Sequence, residues 1–416
     1  MRRISFLLLL LLILATGCAN SNTPTSVASH TPAQKLTPVA TTAPTVTILS
    51  APTASAAPPT STSATADAKY CINVGEQEVR LQDIATGTVL LGRTKRPLYL
   101  LELKSQTRYE VPVVTGTSQH YFYGIHTSPN KNYLAYMDGY ASGKKWDKLN
   151  LWVVDAKGSL KASKPIRLDI LTSGWHWLDN ERIQILFGQA ALDGTVYIYE
   201  PFDDKGNNIT TTLPNFYKDY SIRASNWLVE YNSDMKNAIY LGYPDDVGIG
   251  PILLDLSTQK VLWKGSGFLS GLNQPVWSPN NDAIALIFNR HLYIINTDGI
   301  AKSPSVLGKD DEVTEFAWSP DGRYISFWVV YNQGIKANLM LYDIRTEQVI
   351  DYCVSSFARE RWITWSPDSK QFVTSVEAEK ADSPLDEFSL LVDVDNSVGF
   401  RIPRDMEPIE WMNSLP

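Results

Sequence analysis

Cysteine, histidine and long apolar runs are all scarce in this chain, and each scarcity excludes something. The 416 residues hold three cysteines, Cys18, Cys71 and Cys353. Three cannot make a disulfide framework for a chain of this size, and their spacing matches no zinc cluster. No G-x-S-x-G pentapeptide occurs, so the nucleophile elbow of an α/β-hydrolase is missing. Basic clusters are missing too, and the net charge is −7. Binding to nucleic acid is carried by clustered Lys and Arg against phosphate, so no nucleic-acid partner is expected. The strongest apolar run, Phe6 to Ala15, falls well short of the ~20 residues that a membrane-spanning helix needs.

That run nevertheless has a meaning. Arg2 and Arg3 precede it and Leu14-Ala15-Thr16-Gly17-Cys18 closes it. A positive start, a short apolar core and small residues before a cysteine resemble a bacterial lipoprotein signal, although Ala15 stands where that family most often carries Leu. The resemblance implies a signal peptide over 1–17, a lipid on Cys18 and an extracytoplasmic, membrane-anchored place in the bacterial cell envelope. Loss of the leader takes Arg2 and Arg3 away. The mature chain then stands near −9, with 37 basic residues less these two against 44 acidic ones.

Residues 18–67 follow as Ser, Thr, Pro, Ala and Val with Lys35 as the single fixed charge before Asp67. Such a composition cannot bury enough apolar surface to offset the entropy of ordering, so a disordered stalk is expected. Pro-rich chain extends by about 3.1 Å per residue, so the stalk could reach roughly 150 Å when fully stretched.

The remainder, 68–416, is organised around Trp318-Ser319-Pro320-Asp321-Gly322-Arg323-Tyr324-Ile325-Ser326-Phe327-Trp328. Pro presets φ at the first corner, Asp bonds its own backbone and Gly takes the left-handed position, so two strands pair across the turn. The pattern recurs as Trp277-Ser278-Pro279-Asn280, Trp365-Ser366-Pro367-Asp368 and Thr127-Ser128-Pro129-Asn130, and in degenerate form at Trp177, Tyr231 and Trp411. A second mark recurs beside it: an apolar run closing on Glu102, Asp155, Glu200, Asp255, Asn296, Asp343 or Asp393. Runs apolar on both faces and bounded by turns read as buried strands. These closing residues lie 41 to 55 residues apart, the period of four-stranded units around an axis. The two sets are offset: the first strand-rich unit lacks a first half, and Trp411 has nothing after it. That offset implies ring closure, with the C-terminal strand completing the first unit and removing the open edge. The fold expected is all-β, a seven-bladed β-propeller. Trp-Ser-Pro-Asp-Gly before an alternating strand resembles the TolB-type propeller repeat, akin to WD-like repeats, over roughly residues 85 to 413. The motif speaks to fold and hardly to function.

Candidate chemistry is sparse. His126 and His176 each sit just before a first-half position, so both could face the central channel as metal ligands; packing is the commoner role for such residues, and no metal is expected. Asp203-Asp204-Lys205-Gly206-Asn207-Asn208 and Asp393-Val394-Asp395-Asn396 lack EF-hand spacing and read as ordinary hairpin turns. No cofactor motif is present. Cys71 precedes the first blade and Cys353 lies in the outer strand of the sixth, so a bond between them would require the N-terminal arm to cross the seventh. Two buried free thiols are the expectation. Connections between second and third strands share a face with the blade-to-blade connections. The longest are 138–148, 243–250, 331–338 and 377–387. They carry Tyr140, Trp146, Asp245, Asp246, Tyr331, Asp382 and Asp386, a candidate binding face where aromatics and carboxylates suit a sugar ring or a peptide.

The sequence therefore predicts a non-enzymatic binding or scaffold module, tied to the membrane through Cys18 and binding an envelope protein or glycan. The alternative is a carbohydrate-active enzyme, a polysaccharide lyase or hydrolase, with its site in the central channel.

Overall fold

The computed structural model describes residues 71–414, apart from 93–97, 115–120, 143–144, 167–171, 188–194, 209–228, 243–249, 266–274, 305–306, 332–333, 358–361 and 381–382. Cys18 and the stalk lie outside the described residues, as do Asp245, Asp246 and Asp382.

Seven antiparallel four-stranded blades follow one another along the chain, six from consecutive strands, one of these six with an N-terminal strand added in parallel at its outer edge, and one built from both ends. In that one, blade 1, the inner strand Glu410–Met412 pairs with Thr88–Leu91, which pairs in turn with Tyr99–Glu102 and Thr107–Glu110. Ring closure by the C-terminal strand is thus as the offset repeats predict. The inner strands of blades 2 to 7 are Tyr121–Thr127, Thr172–Trp177, Val229–Tyr231, Val276–Trp277, Glu312–Trp318 and Ile363–Trp365.

The turns explain the regularity. In blade 6 the amide of Gly322 bonds the carbonyl of Ser319 at 2.9 Å, and the amide of Tyr324 bonds Ser319 Oγ at 2.9 Å. The amide of Arg323 reaches Asp321 Oδ1 at 3.0 Å. Gly322 has φ +70°, and Lys131, Met235, Asn281 and Ser369 hold the matching place with φ of 60°, 57°, 64° and 62°. The left-handed corner is therefore built five times, though only one copy carries the glycine that suits it. The closing residues act as read from the sequence: Asp155, Asp255, Asn296, Asp343 and Asp393 each accept backbone amides of the next turn.

Between blades, the buried faces interlock. Phe316, Ile325, Phe327 and Met340 of blade 6 pack on Ala285, Ile287 and Leu292 of blade 5. Trp328 and Leu341 face Trp365 and Phe372 of blade 7. Among the described residues no helix is long and apolar enough to cross a membrane.

Two readings need correction. Cys71 and Cys353 are bonded, with Cα atoms 4.8 Å apart, and both residues are exposed. The physical reason is an arm that does cross the seventh blade. Asn73–Glu78 adds to the outer edge of blade 7 as a fifth strand, parallel to Val398–Ile402. The second correction concerns 138–148 and 377–387, read as loops. The paired strands run on almost to the tips as Tyr133–Ser142 with Lys145–Asp155, and Gln371–Lys380 with Ser383–Asp393.

Candidate functional site: the channel and the hairpin face

Antiparallel connectivity gives the ring two unlike faces. Ser-Pro-Asp turns share one face with the turns between third and fourth strands. The other carries the second-to-third connections and the links between blades.

Within the channel, one register position organises the chemistry. The residue just before each first-half position is Glu410, His126, His176, Glu230, Val276, Ala317 or Thr364, reading from blade 1 to blade 7. Its carbonyl often holds the next blade. The indole N–H of Trp177 bonds the carbonyl of His126 at 3.0 Å, that of Trp277 bonds Glu230 at 3.3 Å, and that of Trp318 bonds Val276 at 3.1 Å. The side chains divide the ring into a polar arc over blades 1 to 4 and an apolar stretch at Val276 and Ala317.

Contacts across the polar arc are specific. Thr127 Oγ1 donates to Glu410 Oε2 at 3.0 Å and accepts from Lys131 Nζ at 2.8 Å, while Lys131 Nζ stands 4.0 Å from the same carboxylate oxygen. Burial pushes the Lys131 ammonium down and the Glu410 carboxyl up, and each partner's charge opposes the other's shift. His176 turns Nδ1 to Glu230 Oε2 at 2.8 Å, and its Nε2 is buried without a hydrogen-bond partner. His126 lies edge-on to Trp175, ring centroids 4.9 Å apart. Crowding by protein, then the charges of His176 and Lys131, push its imidazole down to about 4. Water still reaches His126, so solvent screens part of that charge effect.

The channel histidines named from sequence are thus neighbours, His176 with one ring nitrogen turned to Glu230 and His126 against the Trp175 ring. Among the described residues no group of three or more His, Cys, Asp and Glu side chains could hold a metal ion. The two acids of the arc are committed to different bases, Glu230 to His176 and Glu410 to Lys131. Glu315, on the inner strand of blade 6, is the exception in character: burial alone pushes its carboxyl up to about 7.

On the opposite face, two hairpins stand out. The second strands of blades 2 and 7 have ten residues each, against four to seven in the other blades. At about 3.3 Å per residue, three or more extra residues lengthen the described second strand of each hairpin by about 10 Å. Blade 1 lies between these two walls. Tyr140 sits opposite Lys148 and Trp146 opposite Ala141 in the blade 2 hairpin. Asp386 sits opposite Ala378 in the blade 7 hairpin and is ion-paired with Arg401, whose guanidinium lies 3.8 Å from the Phe388 ring centroid. Tyr331 follows the second strand of blade 6 and packs partly on the core shared with blade 5. The described members of the predicted set therefore fall in blades 2, 6 and 7, and two of them are partly consumed by the fold.

Sequence reading missed Trp362. It is 47% exposed, and its indole N–H donates to Glu407 Oε1 at 2.8 Å. Ser375 Oγ fixes that same oxygen at 2.9 Å. Trp362 lies three residues before Trp365, on a link between blades and not on a second-to-third connection. Its signal was present: it is an aromatic off the repeat register.

Similar solved structures are propellers. TolB from Acinetobacter baumannii is 13% identical, with 78% of this chain and 82% of that chain covered and a TM-score of 0.41. An oligogalacturonate lyase in complex with manganese is 14% identical over 77% and 86%, with a TM-score of 0.48. The C-terminal WD40 domain of Sif2 is 10% identical over 79% and 87%, with a TM-score of 0.47. This likeness is one of fold. No protein-family model matches the sequence, and no curated protein matches it either.

Proposed function

We propose that this protein is a non-enzymatic binding module of the bacterial cell envelope, held at the membrane by a lipid on Cys18. Its hairpin face engages an envelope protein or glycan. The observation that supports this reading most is Trp362, a half-exposed indole fixed in orientation by Glu407 and Ser375. Leaving so large an apolar surface in water is unfavourable, and holding it rigid lowers the entropy cost of a partner's binding. Trp362 lies on the link into blade 7, on the face that also carries the long hairpins of blades 2 and 7.

A mature-length bait carrying Cys18→Ser, crosslinked in envelope extract, tests the reading beside the same bait with Trp362→Ala and Trp146→Ala. One saturable partner or wall glycan lost with the double substitution supports it. Equal capture by both baits overturns it. Anchoring is tested apart from binding: Cys18→Ser should move the full-length protein from the membrane to the soluble fraction.

The competing reading, a carbohydrate-active enzyme working in the channel, draws on Glu315, whose carboxyl stays protonated up to about pH 7 and so has the character of a general acid. Cleavage of envelope polysaccharide that disappears with Glu315→Gln would favour it.

A further inference from the structure

The arm and its disulfide form a device that ring closure does not require. Closure is made by Glu410–Met412 against Thr88–Leu91, so the ring is complete without the arm. Yet the arm is fastened in three ways. Asn73 and Val74 pair in parallel with Val398 and Gly399, and the amide of Val79 bonds the carbonyl of Arg401 at 2.8 Å. The amide of Ile72 bonds the carbonyl of Tyr352 at 3.2 Å, in the outer strand of blade 6. Cys71 is bonded to Cys353 in that same strand. Blade 7 is shaped to receive the arm. A Cβ at Gly399 would stand 3.0 Å from both Ile72 Cδ1 and Val74 Cγ2, so the glycine leaves the notch that those side chains fill.

Against this, most of the arm is wet. Every residue of Asn73–Glu78 except Val74 is exposed. Ile72 is its one side chain in the buried core. Three parallel residue pairs along a six-residue strand, one register irregularity and one buried side chain make a weak attachment. The covalent bond holds what the pairing alone does not.

We propose that the Cys71–Cys353 bond is a redox modification site whose substrate class is a dithiol donor, and that its reduction releases the arm while the ring stays closed. Both cysteines are exposed, as attack by an external thiolate requires. The donor thiolate attacks one of the two Sγ atoms, the Sγ–Sγ bond breaks, and the other cysteine departs as a thiolate that takes a proton from water. The donor's second thiolate then attacks the mixed disulfide, forming the donor's own disulfide and expelling the remaining protein cysteine as a thiolate, which is protonated in turn. Two electrons pass from donor to protein, and one disulfide is exchanged for another. The released arm bares the edge of Val398–Ile402 and leaves 71–80 attached to the ring only through Leu81.

The test is amide hydrogen exchange on the mature chain before and after treatment with dithiothreitol, with thiol alkylation counted in parallel. Alkylation of Cys71 and Cys353 should coincide with at least tenfold faster exchange across 72–79, while 88–91 and 410–412 keep their protection. The Cys71→Ser, Cys353→Ser double variant should show the same pattern without reductant. Thiols that label only after global unfolding would overturn the proposal. So would full labelling with an unchanged arm, or loss of protection in the ring together with the arm.

Discussion

His176 and Glu230 join blades 3 and 4 through a 2.8 Å contact between Nδ1 and Oε2, at the same register position of successive inner strands. The Glu230 side chain is only 7% exposed, and Trp277 of the next blade is bonded to its backbone carbonyl. This contact ties the channel's polar arc to the packing of three blades.

Removing the base from that pair should therefore cost more than removing the charge. His176→Ala leaves a buried carboxylate without its partner, a loss of about 1–3 kcal/mol. At about 2.1 cal/mol/K of unfolding entropy per residue, over a domain of residues 71–414, that corresponds to a Tm lower by roughly 1–4 °C. Glu230→Gln keeps an acceptor for Nδ1 and should lose less. Thermal unfolding of the two variants side by side decides it; an equal loss would mean that the contact carries no specific weight.

The pH profile of stability should carry two opposed contributions. His126 takes up its proton near 6.5 when unfolded and only near 4 when folded. The unfolded state binds more protons between those values, so this stabilisation is complete above pH 6.5 and is lost as pH falls towards 4. Glu315 is reversed. Its carboxyl ionises near 4.5 unfolded and near 7 folded, so its contribution is present below 4.5 and is lost as pH rises to 7. Relative to the unsubstituted protein, Glu315→Gln should gain stability between pH 5 and pH 8, and His126→Gln should flatten the acid limb. Denaturant midpoints at pH 5 and 8 read both; a Glu315→Gln difference that does not grow with pH would refute the assignment.

The ring and its closure were legible because both repeat marks are backbone devices. Asp321 and Asp343 cap their turns wherever they sit, so counting them counts blades. The channel was half legible. His126 and His176 were noticed as histidines, but Glu230 and Glu410 gave no local signal. Their meaning comes from sharing one register position in a closed ring, which only the assembled inner strands display. The disulfide was misread for a related reason. Residues 71 and 353 are far apart in sequence, and their meeting depends on an arm whose one anchor in the core, Ile72, fits a notch at Gly399. Long hairpins look like loops in sequence because strand length beyond the ring is set by cross-strand pairing and not by burial.

Closure of blade 1 yields the sharpest test of the architecture. Trp411 is fully buried, and its indole N–H donates to the carbonyl of Thr86 at 2.8 Å. Gly87 next to it has φ +111°, and a Cβ there would stand 2.6 Å from the carbonyl oxygen of Met412 and 2.7 Å from Trp411 Nε1. The backbone angle excludes other residues and the space excludes a methyl group, so Gly87→Ala is penalised twice. Trp411→Ala instead opens a cavity and should cost about 3–5 kcal/mol. Both substitutions weaken the pairing of 410–412 with 88–91 and expose the edge of Thr88–Leu91, a template for association with other chains. Each variant should unfold earlier than the unsubstituted protein and aggregate near its transition, as followed by calorimetry with light scattering. A Gly87→Ala protein of unchanged Tm would mean that the C-terminal strand does not close the ring against residues 88–91.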